Sequence, residues 1–307
     1  AHYAGDETPT AQVQGLISYL ISSGDATMMY LGQMLSGLWT DLPPADTYGL
    51  LDFSRPITLS TAGSYSTGVF DNGASEIVAY DPASKRLFVV NGDSKAIDVL
   101  NAADPENPTF LFNIPVAPYG GGVNSVAVED GVVAAAVEAA MKQDPGKVVF
   151  FDANGTYINQ VTVGALPDMV AFTPDGKKVL TANEGEPNDA YTNDPEGSVS
   201  IVDISGGVAA ATVATVGFES FNDQADVLRA AGVRIFGLNA TVAQDMEPEY
   251  IAVSSDSATA WVACQENNAI AVVDLLSKVV TDIQPLGYKD HGLPSNGLDA
   301  SDKDGAI

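Results

Sequence analysis

The stretch "EIVAYD" at residues 76–81 returns three times along the chain in altered form, as "NSVAVED" (124–130), "DMVAFTPDG" (168–176) and "EYIAVSSDS" (249–257). Each copy has a polar residue, any residue, an aliphatic residue, Ala and then a large apolar residue. Short apolar or alternating runs bounded by Asp, Gly and Pro are typical of β-strands. A pattern that recurs along a chain indicates a repeat architecture.

Three further strand-like runs follow each copy. In the first unit they read "RLFVVNG", "AIDVLNA" and "TFLFNIPV". Four copies of a four-stranded meander predict an all-β fold, a β-propeller with at least four blades. The four predicted blades span about 76–116, 124–164, 168–217 and 249–287. A segment at 218–247, whose middle has helical character, is inserted between the third and fourth blades. Because known rings have about four to eight blades and four is rare, we expect an incomplete ring.

The first 56 residues are different in kind. The run "AQVQGLISYLISSGDATMMYLGQMLSGLWTD" (11–41) has helix-like apolar spacing that is interrupted at Ser23-Gly24-Asp25. We therefore predict a partly helical segment over 1–56, with two short helices that pack on the propeller or on a partner. Residues 57–307 are assigned to the propeller.

The charge of the chain restricts its partners. In 307 residues, 40 acidic side chains against 13 basic ones give a formal net charge of −27, which repels nucleic acids and anionic membranes. No run approaches the roughly 18 to 20 apolar residues of a membrane helix, and the single cysteine, Cys264, excludes an intrachain disulfide. We predict an extracellular or cell-surface protein whose partners are surface or matrix components, or other copies of itself.

The repeat also predicts where polar side chains meet. In a propeller blade, the start of the innermost strand and the end of its antiparallel neighbour lie at the same mouth of the central channel. The polar residues at these positions are Glu76, Asn124, Asp168 and Glu249 at first-strand starts, and Asn91, Glu138, Glu184 and Glu266 at second-strand ends. Eight oxygen-bearing side chains are therefore expected on one face.

The acidic segment "TANEGEPNDAYTNDPEG" (181–197) rises from the same mouth, and Asp245 and Glu247 precede Glu249 there. Hard cations such as Ca²⁺ take six to eight oxygen ligands, so we predict a site for Ca²⁺, or for Mg²⁺, at this mouth. The candidate ligands are Glu76, Asn124, Asp168, Glu184, Glu186, Asp189, Glu249 and Glu266. In the alternative interpretation, these residues cap strand ends and are solvated.

Two other side chains, Cys264 and His291, are candidates for a chemical role. Cys264 lies within the apolar run "AWVACQEN", which favours a buried packing role over a nucleophilic one. His291 is a candidate general base, but no Ser or Cys partner is placed beside it to form a triad. With two His residues and one Cys in the chain, a zinc site of the usual type is poorly supported.

Several long motifs resemble the choice-of-anchor I family over about residues 57–307. They are "GSYSTGVFDNGASEIVAYDPASKRLFVVN", "ANEGEPNDAYTNDPEGSVSIVDIS", "GVRIFGLNATVAQDMEPEYIAVSSDSATAWVACQENNAIAVVDL" and "PLGYKDHGLPSNGLDASDKDG". The resemblance implies a large secreted bacterial propeller that is attached by a C-terminal sorting signal, often labelled alkaline phosphatase-like. It also implies further blades beyond "DASDKDG", with a second acidic motif, whereas residues 1–56 do not match.

The leading hypothesis is an extracellular propeller that binds calcium-type cations at its acidic mouth and serves ligand binding or surface assembly. The alternative is a metal-dependent phosphoesterase, in which bound cations polarise a phosphoryl oxygen and activate water. In that case Glu184, Glu186 and Asp168 would be ligands, and His291 or Glu249 would handle the proton.

Overall fold

The computed structural model describes residues 59–293 and 296–297, which contain four separate β-sheets. Each sheet is a four-stranded antiparallel meander in chain order, which confirms the predicted propeller blades. The strands of blades 1 and 2 are β1 Val78–Asp81, β2 Arg86–Asn91, β3 Ala96–Asn101, β4 Thr109–Pro115, β5 Gly122–Glu129, β6 Val132–Glu138, β7 Pro145–Asp152 and β8 Tyr157–Ala165. Those of blades 3 and 4 are β9 Pro167–Phe172, β10 Lys178–Asn183, β11 Ser198–Asp203, β12 Thr212–Gly217, β13 Tyr250–Val253, β14 Thr259–Cys264, β15 Ala269–Asp274 and β16 Val279–Pro285.

The segment between blades 3 and 4 contains short helices, one of them in its middle, where the sequence predicts helical character. It contains a 3₁₀ turn at Glu219–Gln224 and the helices α1 (Ala225–Ala231) and α2 (Val242–Asp245); a further short 3₁₀ turn, Val208–Ala210, joins β11 to β12. Helix α2 begins with a capping box, in which the Thr241 side chain accepts from the Gln244 backbone and the Gln244 side chain accepts from the Thr241 backbone. The helices predicted within residues 1–56 lie outside the described residues.

Successive side chains along each strand point to opposite sides of the sheet, so each blade has two faces. We call the face toward the next blade in the chain the forward face, and the opposite one the rear face. Blade 1 packs its forward face, with Phe88 and Ile97, against the rear face of blade 2, with Val133 and Phe151. These four side chains are almost completely buried, so this contact forms a continuous core between the two blades.

The same arrangement recurs along the chain. The forward face of blade 2, which includes Phe150, packs on the rear face of blade 3, which includes Val179. Blade 3 in turn packs Leu180 against Val262 of blade 4, and the inserted segment adds Met246 to this third core. Each contact between blades is therefore a forward face on a rear face.

The Ala of the repeated pattern has a fixed place in this packing. In each blade, the strand register pairs this Ala with a forward-face residue of the second strand. These pairs are Ala79 with Phe88, Ala127 with Ala134, Ala171 with Leu180, and Ala252 with Trp261. Because the inner strands of neighbouring blades converge toward the propeller axis, a small side chain fits best at this position.

Within the described residues the ring is not closed. The three hydrophobic clusters join blades 1 and 2, blades 2 and 3, and blades 3 and 4, and none of them joins blade 4 to blade 1. The predicted incomplete ring is therefore observed for these blades. In the same part of the chain, no helix has the length and apolar character needed to cross a membrane.

Asp175 stabilises the turn between β9 and β10. Its carboxylate accepts hydrogen bonds from the Thr173 hydroxyl (2.6 Å) and the Lys177 backbone (3.1 Å), and these contacts lower the pKa of Asp175 to about 2. We expect Asp175→Ala to lower the free energy of unfolding by at most about 1 kcal/mol, because the site is largely solvated. Urea denaturation at pH 7 measures this change.

The lowered pKa also sets the pH window of this effect. The contribution of Asp175 is present above the ordinary carboxyl pKa and is lost as the pH falls from about 4 toward 2. Asp144→Ala is the control, because the Asp144 side chain makes no hydrogen bond among the described residues. Equal stability losses in the two variants at pH 7 would contradict the prediction.

Candidate functional site

The acidic segment 184–197 connects β10 to β11 and is held at both ends. The Glu184 backbone donates to the Leu166 carbonyl (2.9 Å), and the Gly197 backbone donates to the Ala243 carbonyl of α2 (2.9 Å). A Cβ at Gly197 would collide with the Met246 carbonyl, so only glycine permits this close approach. The segment is thereby fixed against the insertion between blades 3 and 4.

The insertion is held by two buried polar side chains. Asp245 accepts from the backbone of Phe236 (2.7 Å) and of Gly237 (2.6 Å). Asn267, which is fully buried, accepts from the Glu247 backbone (2.9 Å) and donates to the carbonyls of Arg234 (3.0 Å) and Asp245. These contacts place Glu247 beside the first strand of blade 4.

Six carboxylates meet at the mouth formed by the start of β9, the end of β10, the start of β13 and the end of β14. We call this set the acidic mouth, and its members are Asp168, Glu184, Glu186, Glu247, Glu249 and Glu266. They come together because the start of a first strand lies beside the end of its antiparallel neighbour. The sequence indicates Glu247 only as additional acid near this mouth, not as a candidate ligand.

Mutual repulsion and burial change the protonation of the mouth. Burial, followed by the charges of Asp168 and Glu186, raises the pKa of Glu184 to about 8. Burial and the neighbouring Glu266 carboxyl raise the pKa of Glu249 to about 7. Burial and Glu266 also raise the pKa of Glu247 to about 7. The mouth therefore holds protons that isolated carboxylates would release near pH 4.

A cleft of about 280 Å³ opens beside the mouth. Its lining residues are Glu186, Pro187, Asn188, Asp189, Tyr191, Asp194, Phe236, Gln244, Asp245, Glu247 and Glu266. Tyr191 and Phe236 are partly exposed there. Two buried oxygens, Asp194 Oδ1 and Glu266 Oε2, have no hydrogen-bond partner among the described residues, which is unusual for buried polar atoms.

The other predicted ligands lie at the edge of this arrangement. Glu76 is close enough to contribute to the raised pKa of Asp168, after burial and Glu266. Asn124 donates to the Pro167 carbonyl (3.1 Å), and Asp189 lies in the cleft wall. Asn91 donates to Asp98 (2.8 Å) and is buried, so its amide stabilises blade 1.

The mouth is rich in carboxylates, but the described residues do not form a coordination sphere for a metal ion. Among the described residues, no group of three or more His, Cys, Asp or Glu side chains has a metal-ligating arrangement. Two ion pairs within the described part of the chain, Lys177 with Asp175 and Arg229 with Asp226, do not include a residue of the mouth. Lys142 is the basic residue that partly offsets the raised pKa of Asp168.

The two candidate catalytic residues, Glu249 and His291, lie in different parts of the structure. Glu249 belongs to the mouth, whereas the His291 ring contacts the Asn296 carbonyl in its own loop (2.6 Å) and does not line the described cleft. Cys264 is fully buried, and burial raises the pKa of its thiol. The predicted packing role of Cys264 is therefore confirmed.

Comparison with solved structures finds propellers of low sequence identity. The β-propeller domain of Cps50 (Swd1) from Myceliophteria thermophila is 11% identical, with a TM-score of 0.47, covering 71% of this chain and 57% of that one. The nidogen/laminin complex is 12% identical, with a TM-score of 0.42, covering 70% and 65%. A putative 6-phosphogluconolactonase from Bacteroides fragilis is 18% identical, with a TM-score of 0.44, covering 67% and 52%.

These values concern the fold alone, and the chain matches less than two thirds of the length of each of these propellers. No curated protein matches the chain significantly. The family model of the choice-of-anchor I domain matches residues 76–307, which include all four blades and the acidic mouth. The chain therefore belongs to the choice-of-anchor I family, whose domain implies a secreted or cell-surface protein.

Proposed function

We propose that the acidic mouth binds a hard divalent cation, Ca²⁺ before Mg²⁺, and that the cation-loaded propeller binds surface or matrix components outside the cell. The observation that carries this proposal is that two buried oxygens, Asp194 Oδ1 and Glu266 Oε2, find no hydrogen-bond partner in the part of the chain that the structure describes. Both belong to residues that line the cleft beside the mouth. A bound cation would give each of them a favourable contact.

The chemistry of the donors fits Ca²⁺. The mouth offers carboxylate oxygens, and the wall of the adjoining cleft adds the carboxylates of Asp189 and Asp194, all of which are ligands of hard cations. Ca²⁺ accepts six to eight oxygens in flexible geometry, whereas Mg²⁺ requires a near-ideal octahedron. Since the carboxylates are not assembled around one point, the more tolerant cation is favoured. Binding requires the long Glu side chains to change rotamer.

The electrostatics of the mouth support the same proposal. The raised pKa values of Glu184, Glu247 and Glu249 arise from burial and from like charge. A divalent cation is the largest local charge that such a site can acquire, and it reverses this repulsion. It would also give a positive centre to a protein of net charge −27, through which an anionic surface component can be bound.

Isothermal titration of chelator-treated protein with Ca²⁺ at pH 8 tests the proposal. We expect a dissociation constant of about 0.1 to 1 mM, the range of extracellular calcium modules. Glu184→Gln should weaken binding by about tenfold or more, because it removes a central charge. Glu129→Gln is the matched control, since Glu129 is exposed at the opposite end of β5 and should leave binding unchanged.

Absence of Ca²⁺ binding, or equal effects of the two variants, would overturn the proposal. The phosphoesterase alternative is tested on the same samples with p-nitrophenyl phosphate, with and without Ca²⁺. Metal-dependent turnover that Glu184→Gln and Glu249→Gln abolish would replace the binding function by a catalytic one. His291→Ala then distinguishes whether a proton is handled by His291 or within the mouth.

A further inference from the structure

The cleft beside the acidic mouth is lined by two aromatic side chains as well as by acids. Tyr191 comes from the segment 184–197, and Phe236 comes from the insertion between blades 3 and 4. Their side chains are 45% and 54% exposed. Aromatic rings in a concave site with a few polar groups are typical of places where a small organic ligand packs. A bound cation by itself gives no reason for these two rings.

The Tyr191 ring is carried by a turn that hydrogen bonds already hold. The Tyr191 backbone donates to the Asn188 carbonyl (2.8 Å), and the Asn188 side chain accepts from the backbones of Thr192 (2.9 Å) and Asn193 (3.2 Å). Tyr191 has a φ of +51°, a left-handed conformation that costs a residue other than glycine roughly 1 to 2 kcal/mol. Because the turn is ordered before a ligand arrives, the entropic cost of binding is lowered.

The polar groups of the cleft wall are mainly hydrogen-bond acceptors. Six of its lining residues are Asp or Glu, and none of the lining residues that the structure describes is Lys or Arg. Since an ionised carboxylate only accepts hydrogen bonds, a fitting ligand must bring several donors. The hydroxyl groups of a sugar ring do so, and the C–H face of the same ring can pack on an aromatic side chain. A volume of about 280 Å³ is near the lower limit for small-ligand sites, which suits a single ring.

The cation of the proposed function would have coordination positions left for such a ligand. Ca²⁺ takes six to eight oxygens, and the described carboxylates do not surround one point. Asp194 Oδ1 and Glu266 Oε2, the two buried oxygens that find no partner among the described residues, belong to the cleft wall. A cation held by these oxygens lies beside the space for the ligand, so two adjacent ligand oxygens can complete its coordination.

We propose that the cleft binds one pyranose ring of a surface or matrix glycan, whose adjacent oxygens coordinate the bound Ca²⁺ while its C–H face packs on Tyr191. Phe236 borders the ring from the insertion. This inference rests on the proposed function, because it requires the cation. It names the class of ligand that the cation-loaded site takes. The two oxygens are a pair of hydroxyls in a neutral sugar, or a hydroxyl and a carboxylate in a uronate.

An organic cation is the other ligand that acids and aromatic rings attract together. Two features of the site disfavour it. The Arg234 guanidinium already lies over the Phe236 ring, 5.1 Å from its centroid, and a bound Ca²⁺ would repel a further positive charge. Hydroxyl groups are not repelled, so the sugar is favoured over an amine.

Saturation-transfer-difference NMR on the full chain tests the inference. The ligands are methyl β-D-glucopyranoside, methyl α-D-mannopyranoside and methyl β-D-glucuronide, with choline as the cationic ligand, each in Ca²⁺ and in EDTA. We expect saturation transfer to at least one glycoside in Ca²⁺, and binding that is weaker by about tenfold or more in EDTA, which corresponds to about 1.4 kcal/mol. The glycoside that binds more tightly distinguishes a neutral glycan from a uronate-containing one.

The aromatic contact is tested by a pair of variants. Tyr191→Ala should weaken binding of the same glycoside by about tenfold, or about 1.4 kcal/mol, whereas Tyr191→Phe keeps the ring and should retain most of the binding. Calorimetry should find Ca²⁺ binding retained in both variants, because the Tyr191 ring supplies no ligand to the cation. Tyr80→Ala is the control, since Tyr80 is also half-exposed but lies on β1 and not in the cleft.

The outcomes separate this inference from the proposed function. A chain that binds no Ca²⁺ in calorimetry overturns both. Ca²⁺ binding without saturation transfer to any of the three glycosides overturns this inference alone. Equal glycoside binding in Ca²⁺ and in EDTA, or wild-type binding by Tyr191→Ala, also overturns it. Saturation transfer to choline alone would assign the cleft to organic cations instead.

Discussion

Without divalent cations, the protein is expected to lose stability as the pH rises from about 5 to 8.5. The pKa of Glu184 is raised to about 8, and those of Glu247 and Glu249 to about 7. At any pH between the ordinary carboxyl pKa of 4.5 and these raised values, the folded state therefore binds more protons than the unfolded state. The stability that these groups contribute is fully present below about pH 4.5, and it is lost as the pH rises through 7 and 8.

We expect a loss of about 3 kcal/mol at pH 8.5, which is less than the full pKa shifts imply because the three carboxyls are partly solvated. At about 2 to 4 °C per kcal/mol, this lowers the melting temperature by roughly 10 °C. Ca²⁺ at several millimolar should restore most of it, because a ligand of the folded state stabilises it. Thermal melts by circular dichroism at pH 5.5, 7 and 8.5, with EDTA or with Ca²⁺, measure both effects.

Glu184→Gln sharpens this prediction. The amide cannot ionise, so the variant should melt higher than the wild type at pH 8.5 in EDTA and gain less from Ca²⁺. Glu129→Gln should behave as the wild type does. Groups with lowered pKa values, such as Asp175 and Asp203, change stability only at acid pH and do not affect this window. A melting temperature in EDTA that stays constant from pH 5.5 to 8.5 would contradict the prediction.

Asn267→Ala is expected to be the most destabilising single substitution near the mouth. The Asn267 side chain is fully buried and makes three hydrogen bonds, to the Glu247 amide and to the carbonyls of Arg234 and Asp245. Truncation leaves one donor and two acceptors without partners, at about 1 to 3 kcal/mol for each group that stays buried. Since local rearrangement can expose part of this backbone, we expect a loss of about 3 to 4 kcal/mol.

The effect should also be local and functional. Loss of the contact to Glu247 frees the end of the insertion, so amide hydrogen exchange over 234–247 should accelerate, and Ca²⁺ binding should weaken by about tenfold. Gln265→Ala is the matched control, because Gln265 is exposed and, among the residues the structure describes, its side chain makes one long hydrogen bond, to Glu266 (3.5 Å). A variant with unchanged melting temperature and unchanged exchange would show that Asn267 does not hold the insertion.

Much of this site follows from local pattern. The position of Glu184 beside Asp168 is a consequence of antiparallel pairing between β9 and β10, which the repeat predicts. Asn267 could not be identified in this way, since it lies in a turn rich in Asn and Gln and nothing in its neighbours signals burial. Its role depends on the insertion folding back over it, 20 to 33 residues away in the chain.

The sequence by itself determined the blades, because a strand needs only local alternation, and the repeated Ala reports the narrow space near the axis. It also determined that acids gather at one mouth, since strand direction alone decides which ends meet. Only the tertiary structure decided which of these acids lie half-buried beside one another, because their burial depends on the packing of the insertion against the segment 184–197.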